Sequence, residues 1–192
     1  MNAEQKTMRN NQGFTLIETI MVITLLGIVA AIIAIPLSQG VKGWFQATSR
    51  EGISQSGRIA IERMAREIRN TARTAANNPC ISTATATSFS FSDLSGDLTN
   101  CNSITFCVSS NQITCAIAGS YLLRTDASAT AVLADNIQNP PLFTLFTYYD
   151  GNNAPTAVAT NIRRLSIEIV STQGGEIVRK YNEVYLSNMK GY

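Results

Sequence analysis

The chain has 192 residues, a formal net charge of +2 and no histidine. That length allows one ordinary globular domain plus an extra element, and the even, dispersed charge argues against nucleic acid as a partner. Lacking histidine, the chain has neither the commonest general base nor the commonest metal ligand, which removes histidine-based triads and metal centres.

The first residues, MNAEQKTMRNNQG, are polar and carry Lys6 and Arg9. The following stretch, FTLIETIMVITLLGIVAAIIAIPL, has no charged residue between positions 20 and 37. Counted over 14–35 it is about 22 residues, roughly 33 Å as a helix, enough to cross a bilayer core. Lys6 and Arg9 favour a cytoplasmic N-terminus, with the remainder of the chain in the periplasm. One reading is a secretory signal removed near Ala34; the other is a retained membrane helix whose leader is clipped on the cytoplasmic side. Glu18 favours the retained helix. A carboxylate in an apolar span costs about 2.5–3.5 kcal/mol on insertion scales, a penalty that has no use in a disposable signal.

Gly13, Phe14, Thr15, Leu16, Ile17 and Glu18 resemble the class III signal of type IV pilins and type II secretion pseudopilins. The resemblance implies that a membrane aspartyl prepilin peptidase cuts between Gly13 and Phe14 and methylates the new amine of Phe14. It also implies that Glu18 is the carboxylate that pairs with an N-terminal amine during assembly. The pairing has a physical rationale: each charge alone is costly among apolar helices, and together they offset one another and set the axial register. Pro36 falls one place later than the proline usual in such helices.

After Pro36 the apolar residues Val41, Trp44, Phe45, Ile53, Ile61, Met64, Ile68 and Ala72 recur, from Ile53 onward at the spacing of one helical face. Arg58, Glu62, Arg63, Arg66, Glu67, Arg69 and Arg73 lie opposite, and Glu62 and Arg66 have the spacing of a helical ion pair. These arginines read as a solvated face in preference to a nucleic-acid or anionic-lipid patch. Trp44 and Phe45 fit either a membrane-interface anchor or packing on the globular domain. The helix is predicted to end near Ala76, before Asn77, Asn78 and Pro79. Arg63, Met64, Arg66, Glu67, Ile68 and Arg69 give a second resemblance, to the helix of J-type pseudopilins and W-type minor pilins.

From Cys80 the composition turns to Ser, Thr, Asn and short apolar runs. Strands are predicted at 88–91, 104–108, 113–117, 121–124, 131–133, 143–149, 162–170 and 176–186. Gly174 and Gly175 predict a hairpin between the last two strands, and Pro140, Pro141 and positions 150–155 mark loops. A long helix followed by strands is an α+β arrangement, with an antiparallel sheet on the second half of the helix. The resemblance implies the same pilin fold. The expected organisation is a cleaved leader (1–13), a transmembrane segment (14–37), an amphipathic second half of the helix (38–78) and a periplasmic β-rich head (79–192).

The four cysteines, Cys80, Cys101, Cys107 and Cys115, suit disulfides in an oxidising compartment, and their spacings do not match a zinc knuckle. Cys107 and Cys115 are symmetric about Asn111, so a hairpin there would oppose them and leave Cys80 for Cys101. Three pairings remain open to four cysteines. Asp93, Asp97 and Asp150 lie in loops that calcium could use, but turn residues capping their own backbone is the better reading. No phosphate loop or activated nucleophile is present in the sequence, so neither an enzyme nor a cofactor or metal is expected.

The leading expectation is a minor pilin that helps initiate a type IV pilus or forms part of its tip. The alternatives are a J-type pseudopilin of a type II secretion tip complex, a major pilin, or a membrane-anchored periplasmic enzyme or binding protein. Expected partners are other pilin or pseudopilin subunits, the prepilin peptidase, an inner-membrane assembly platform and the lipid bilayer.

Overall fold

A computed structural model describes residues 15–115, 119–138, 143–173 and 175–186. Its elements are a long α-helix, α1 (Leu16–Arg69), then β1 (Ile81–Ala84), β2 (Ser88–Phe91), β3 (Ile104–Ser109), β4 (Tyr121–Asp126), β5 (Thr130–Ala134), β6 (Phe146–Tyr149), a short 3-10 helix (Ala159–Asn161), β7 (Arg164–Gln173) and β8 (Glu176–Tyr185). This is the α+β, pilin-like arrangement of a long N-terminal helix and antiparallel sheet. The chain divides into two compact units, residues 1–45 and 46–192.

In the first unit α1 starts at a side-chain cap. The Glu18 N–H donates to Thr15 Oγ1 at 3.4 Å and to the Thr15 carbonyl at 3.1 Å. Thr15-Leu16-Ile17-Glu18 has the T-x-x-E form of a capping box, so the cap is written in the sequence. Further along, Thr19 Oγ1 donates to the Thr15 carbonyl at 3.3 Å, and Thr24 Oγ1 to the Ile20 and Met21 carbonyls at 3.0 and 2.9 Å. Those bonds satisfy the Thr19 and Thr24 hydroxyls within the helix, as an apolar surrounding requires. Pro36 lies inside the helix, where its missing N–H removes one turn-to-turn bond.

In the second unit α1 turns Ile53, Ala60, Ile61, Met64, Ala65 and Ile68 inward, all buried. Two antiparallel sheets share the core with them: a meander in the order β1-β2-β3-β4-β5, and β6-β7-β8. Phe89 of β2 joins the two sheets. Its ring lies 5.3 Å from Phe91, and 5.8 and 5.7 Å from Phe146 and Tyr148 of β6. The Tyr148 hydroxyl donates to the Thr85 carbonyl at 2.7 Å, which gives a buried phenol its partner. On the other face of β2, Ser90 and Thr105 share a hydrogen bond at 2.8 Å.

Several expectations need correction. The helix stops at Arg69, not near Ala76. Thr71 Oγ1 donates to the Ile68 carbonyl at 2.6 Å, and the Ala72 N–H leaves the helix for the Ser92 carbonyl at 2.8 Å. Bridges Thr71↔Asp93 and Arg73↔Pro79 then fold 71–80 back on itself, so tertiary pairing overrides the helix propensity of the alanines. Asn77 sits in the tip of that fold with φ 62°, a conformation asparagine tolerates.

Two sheets replace the expected single sheet, and β1 is an additional strand. Residues 113–115 are not strand; β3 pairs instead with β4, Ser109 opposite Tyr121. Ile117, Pro140, Pro141 and Gly174 lie outside the described residues. Gln173 pairs with Glu176 across a two-residue turn, and Gly175 adopts φ 85°, which glycine alone takes without strain.

Candidate functional site

The candidate residues fall in two places: the start of α1, and the seam where α1 meets the sheets within the second unit. Gly13 and Phe14, where cleavage and methylation are expected, lie outside the described residues, as do Lys6 and Arg9. Glu18 is exposed in the first helical turn. Its position suits a carboxylate electrostatically, because the helix N-terminus carries partial positive charge. Thr15, which caps that turn, is a residue whose role the sequence reading missed; the T-x-x-E spacing was the available signal.

From Leu16 to Phe45 every residue is exposed, including Leu16, Leu26 and Ile32. An uncovered apolar surface of this length is untenable in water, and α1 is long and apolar enough to cross a membrane. Such a surface can be covered by lipid, by other helices of the same kind, or by each in turn. Trp44 and Phe45 are exposed as well.

At the seam, the segment Arg63–Arg69 splits by face. Met64 and Ile68 are wholly buried. On the other side Arg63 Nε donates to Glu67 Oε1 at 3.0 Å, and Arg124 Nε from β4 donates to Glu67 Oε2 at 2.7 Å. Arg124 also bonds Asp126. The glutamate thus ties the helix to the five-stranded sheet. Glu62 accepts from Arg58 at 2.8 Å rather than from Arg66. Of the segment's arginines, Arg63 thus supports the glutamate of this tie, whereas Arg66 faces solvent.

Burial opposes the charge on Arg124, but its hydrogen bonds to Asp126 and Glu67 outweigh that and raise its pKa. The Arg124 guanidinium, helped by Ser128 and Ala129, holds the Asp126 carboxyl well below the usual carboxylate range. A depressed folded value means this contribution is complete above the unfolded pKa of 3.8 and is lost as pH falls through the folded value. The stability difference between the wild-type chain and Asp126→Asn should therefore be constant above about pH 5 and shrink below about pH 4. Paired denaturant titrations across that range check it; a difference that grows on acidification would be the wrong sign.

The two disulfides join Cys80 to Cys101, with Cα atoms 4.9 Å apart, and Cys107 to Cys115, 5.8 Å apart. The second closes a loop without the hairpin that the spacing suggested. Ser109, Asn111 and Thr114 hold that loop instead: the Ile113 and Thr114 N–H groups donate to Asn111 Oδ1 at 3.0 and 2.9 Å.

The loop carboxylates are used locally. Asp93 Oδ1 accepts from the Ser95 N–H and hydroxyl at 3.2 and 2.9 Å, and Asp97 Oδ1 from the Thr99 N–H at 2.7 Å. Asp150 Oδ1 accepts from the Asn152 and Ala154 N–H groups at 2.8 and 2.9 Å. Close packing adds to this: a Cβ on Gly96 would lie 2.2 Å from Ser103 Oγ. Among the described residues no group of three or more His, Cys, Asp or Glu side chains could hold a metal.

One surface cluster went unread in the sequence. On the three-stranded sheet the Arg164 guanidinium lies 4.0 Å from the Tyr149 ring centre and pairs with Glu183 at 2.7 Å. Tyr181 donates to the same glutamate at 2.5 Å. Tyr181, Glu183 and Tyr185 share a face by their period of two, but their partners come from β6 and β7 and only the register reveals them.

Compared with known proteins, residues 8–34 match the model of the prokaryotic N-terminal methylation motif. The matched stretch contains Gly13, Phe14 and Glu18, and the resemblance to the class III signal rests on it. No match to a curated protein or to a solved structure was found. A motif of this kind, at the head of an apolar helix, fits a single-pass inner-membrane anchor, processing by a prepilin peptidase and assembly with other subunits.

Proposed function

We propose that this chain, headed by an N-terminal methylation motif, is a filament subunit of the pilin type and, within that type, a minor pilin of a type IV pilus. The prepilin peptidase cuts it between Gly13 and Phe14 and methylates Phe14. It then waits in the inner membrane as a single-pass protein with residues 46–192 in the periplasm, until the inner-membrane assembly platform feeds its helix into the filament. There Glu18 pairs with the N-terminal amine of a neighbouring subunit. The chain helps initiate assembly or forms part of the tip.

One observation supports this reading above the others: the methylation motif runs into a helix whose residues are exposed from Leu16 to Phe45. A structural role follows from a surface that only lipid or further helices can cover. The resemblance of Arg63–Arg69 extends equally to J-type pseudopilins, which keeps a type II secretion tip complex as the second reading. Its Glu67–Arg124 tie serves either filament alike.

The mass of the mature N-terminal peptide tests the proposal. It should begin at methylated Phe14. A mature protein in which the Gly13–Phe14 bond is intact would refute processing and return the chain to the membrane-anchored periplasmic class. Purified filaments then separate the two filament readings: the chain should be a scarce component of sheared surface pili. Absence from pili, with loss of protein secretion on deletion, would select the pseudopilin.

A further inference from the structure

Three features stand where α1 leaves its apolar stretch. Trp44 and Phe45 are 65% and 60% exposed, and their rings lie 5.5 Å apart. With Leu37 and Val41 they occupy one helical stripe by the i, i+4, i+7 and i+8 spacing, and both of those are exposed too. Lys42 is the first charged residue after Glu18.

Lengths along the helix give this stripe a place. If residues 20–37 are centred in the hydrocarbon, Glu18 lies about 16 Å to one side of the midplane and Trp44 about 23 Å to the other. The hydrocarbon half-thickness is about 15 Å, and headgroups extend each side to about 20–22 Å. A tilt of about 20° brings Trp44 to about 22 Å and Glu18 to about 15 Å, the edge of the hydrocarbon. The span from Glu18 to Trp44, about 39 Å, therefore matches a bilayer measured with its headgroups, about 40–45 Å.

We infer that Trp44 and Phe45, with Lys42, form the outer lipid-headgroup anchor of the membrane-resident chain, setting the resting depth of α1 and placing Glu18 at the boundary between hydrocarbon and the opposite headgroup layer. The inference rests on reading α1 as membrane-spanning. Its chemistry is that of the interface: aromatic rings favour the headgroup level, and a lysine stem lies along apolar surface while its ammonium reaches phosphate. The consequence concerns Glu18. At this depth the carboxylate reaches water and avoids the full insertion cost of a central position, and the rest of its desolvation belongs to the step into the filament, where a partner amine is present.

Trp44 is the chain's one tryptophan, so its emission reports this position alone. The full chain is reconstituted in phosphatidylcholine vesicles brominated either near the headgroup end of the acyl chains or near their methyl ends. Carbonate extraction establishes insertion in the same samples. The expected result is a blue-shifted emission quenched about twofold more by the shallow bromines than by the deep ones. Stronger quenching by the deep label, or unquenched emission at the wavelength of indole in water, overturns the anchor while leaving insertion intact. Release of the chain by carbonate overturns both the anchor and the membrane reading on which it rests.

Discussion

Replacing Glu18 by alanine should leave membrane insertion intact and lower incorporation into filaments about a hundred- to a thousandfold or more. The magnitude follows from the cost of leaving one partner of a buried ion pair alone, about 3–5 kcal/mol, where each 1.4 kcal/mol is tenfold. In the proposed pairing the group left alone is the amine of a neighbouring Phe14. Insertion is spared because removing a carboxylate from the edge of an apolar span does not make lipid less favourable.

Alanine also removes the favourable charge at the helix N-terminus and the T-x-x-E form of the capping sequence, together worth about 0.5–2 kcal/mol. Glu18→Gln separates the two effects, since glutamine retains the capping-box form without the charge. Filament yield from Glu18→Gln should fall nearly as far as from Glu18→Ala. Yield at the wild-type level in the glutamine variant would mean that the residue acts as a helix cap and not as a charged partner. Immunoblots of sheared filaments against carbonate-resistant membranes supply both measurements.

How much of this was legible in the sequence depended on whether the determinant was local. Leu16–Arg69 carries its own instructions: a T-x-x-E start, an unbroken apolar run, then a 3.6-residue stripe at Ile53, Ile61, Met64 and Ile68. Its end was misread because Thr71 and Ala72 bond to β2-flanking residues some twenty positions away, and no local pattern announces Ser92 and Asp93 as partners. β7 and β8 were readable for the opposite reason, being long, adjacent and joined at Gly175. The short β1 has one buried residue, Ile81, and owes its existence to the ready edge of β2. The same limit hid the tie between Glu67 and Arg124, which lie 57 residues apart in the chain. Arg66 and Glu67 look alike in the sequence; only the packing of α1 on β4 distinguishes a solvated charge from a joining one.

Phe89→Ala should destabilise the second unit by about 3–5 kcal/mol, a large part of the 5–15 kcal/mol available to a typical domain. Phe89 is wholly buried and in ring contact with Phe91 on its own sheet and with Phe146 and Tyr148 on the other. Truncation therefore removes contacts that hold the two sheets together, and the cavity would lie between elements that cannot close on it without moving a whole sheet. Leu94→Ala is the matched control: it deletes apolar atoms five positions away at a residue 75% exposed, where the expected change is within about 0.5 kcal/mol. Melting should be followed by near-ultraviolet dichroism of the tyrosines and phenylalanines. Trp44 lies in the first unit, and the apolar part of α1 stays helical in detergent whatever becomes of the sheets. A fall in midpoint of about 10 °C or more is expected for Phe89→Ala. A midpoint equal to that of Leu94→Ala would show that the sheets are held by the helix face and the disulfides, with the ring cluster contributing little.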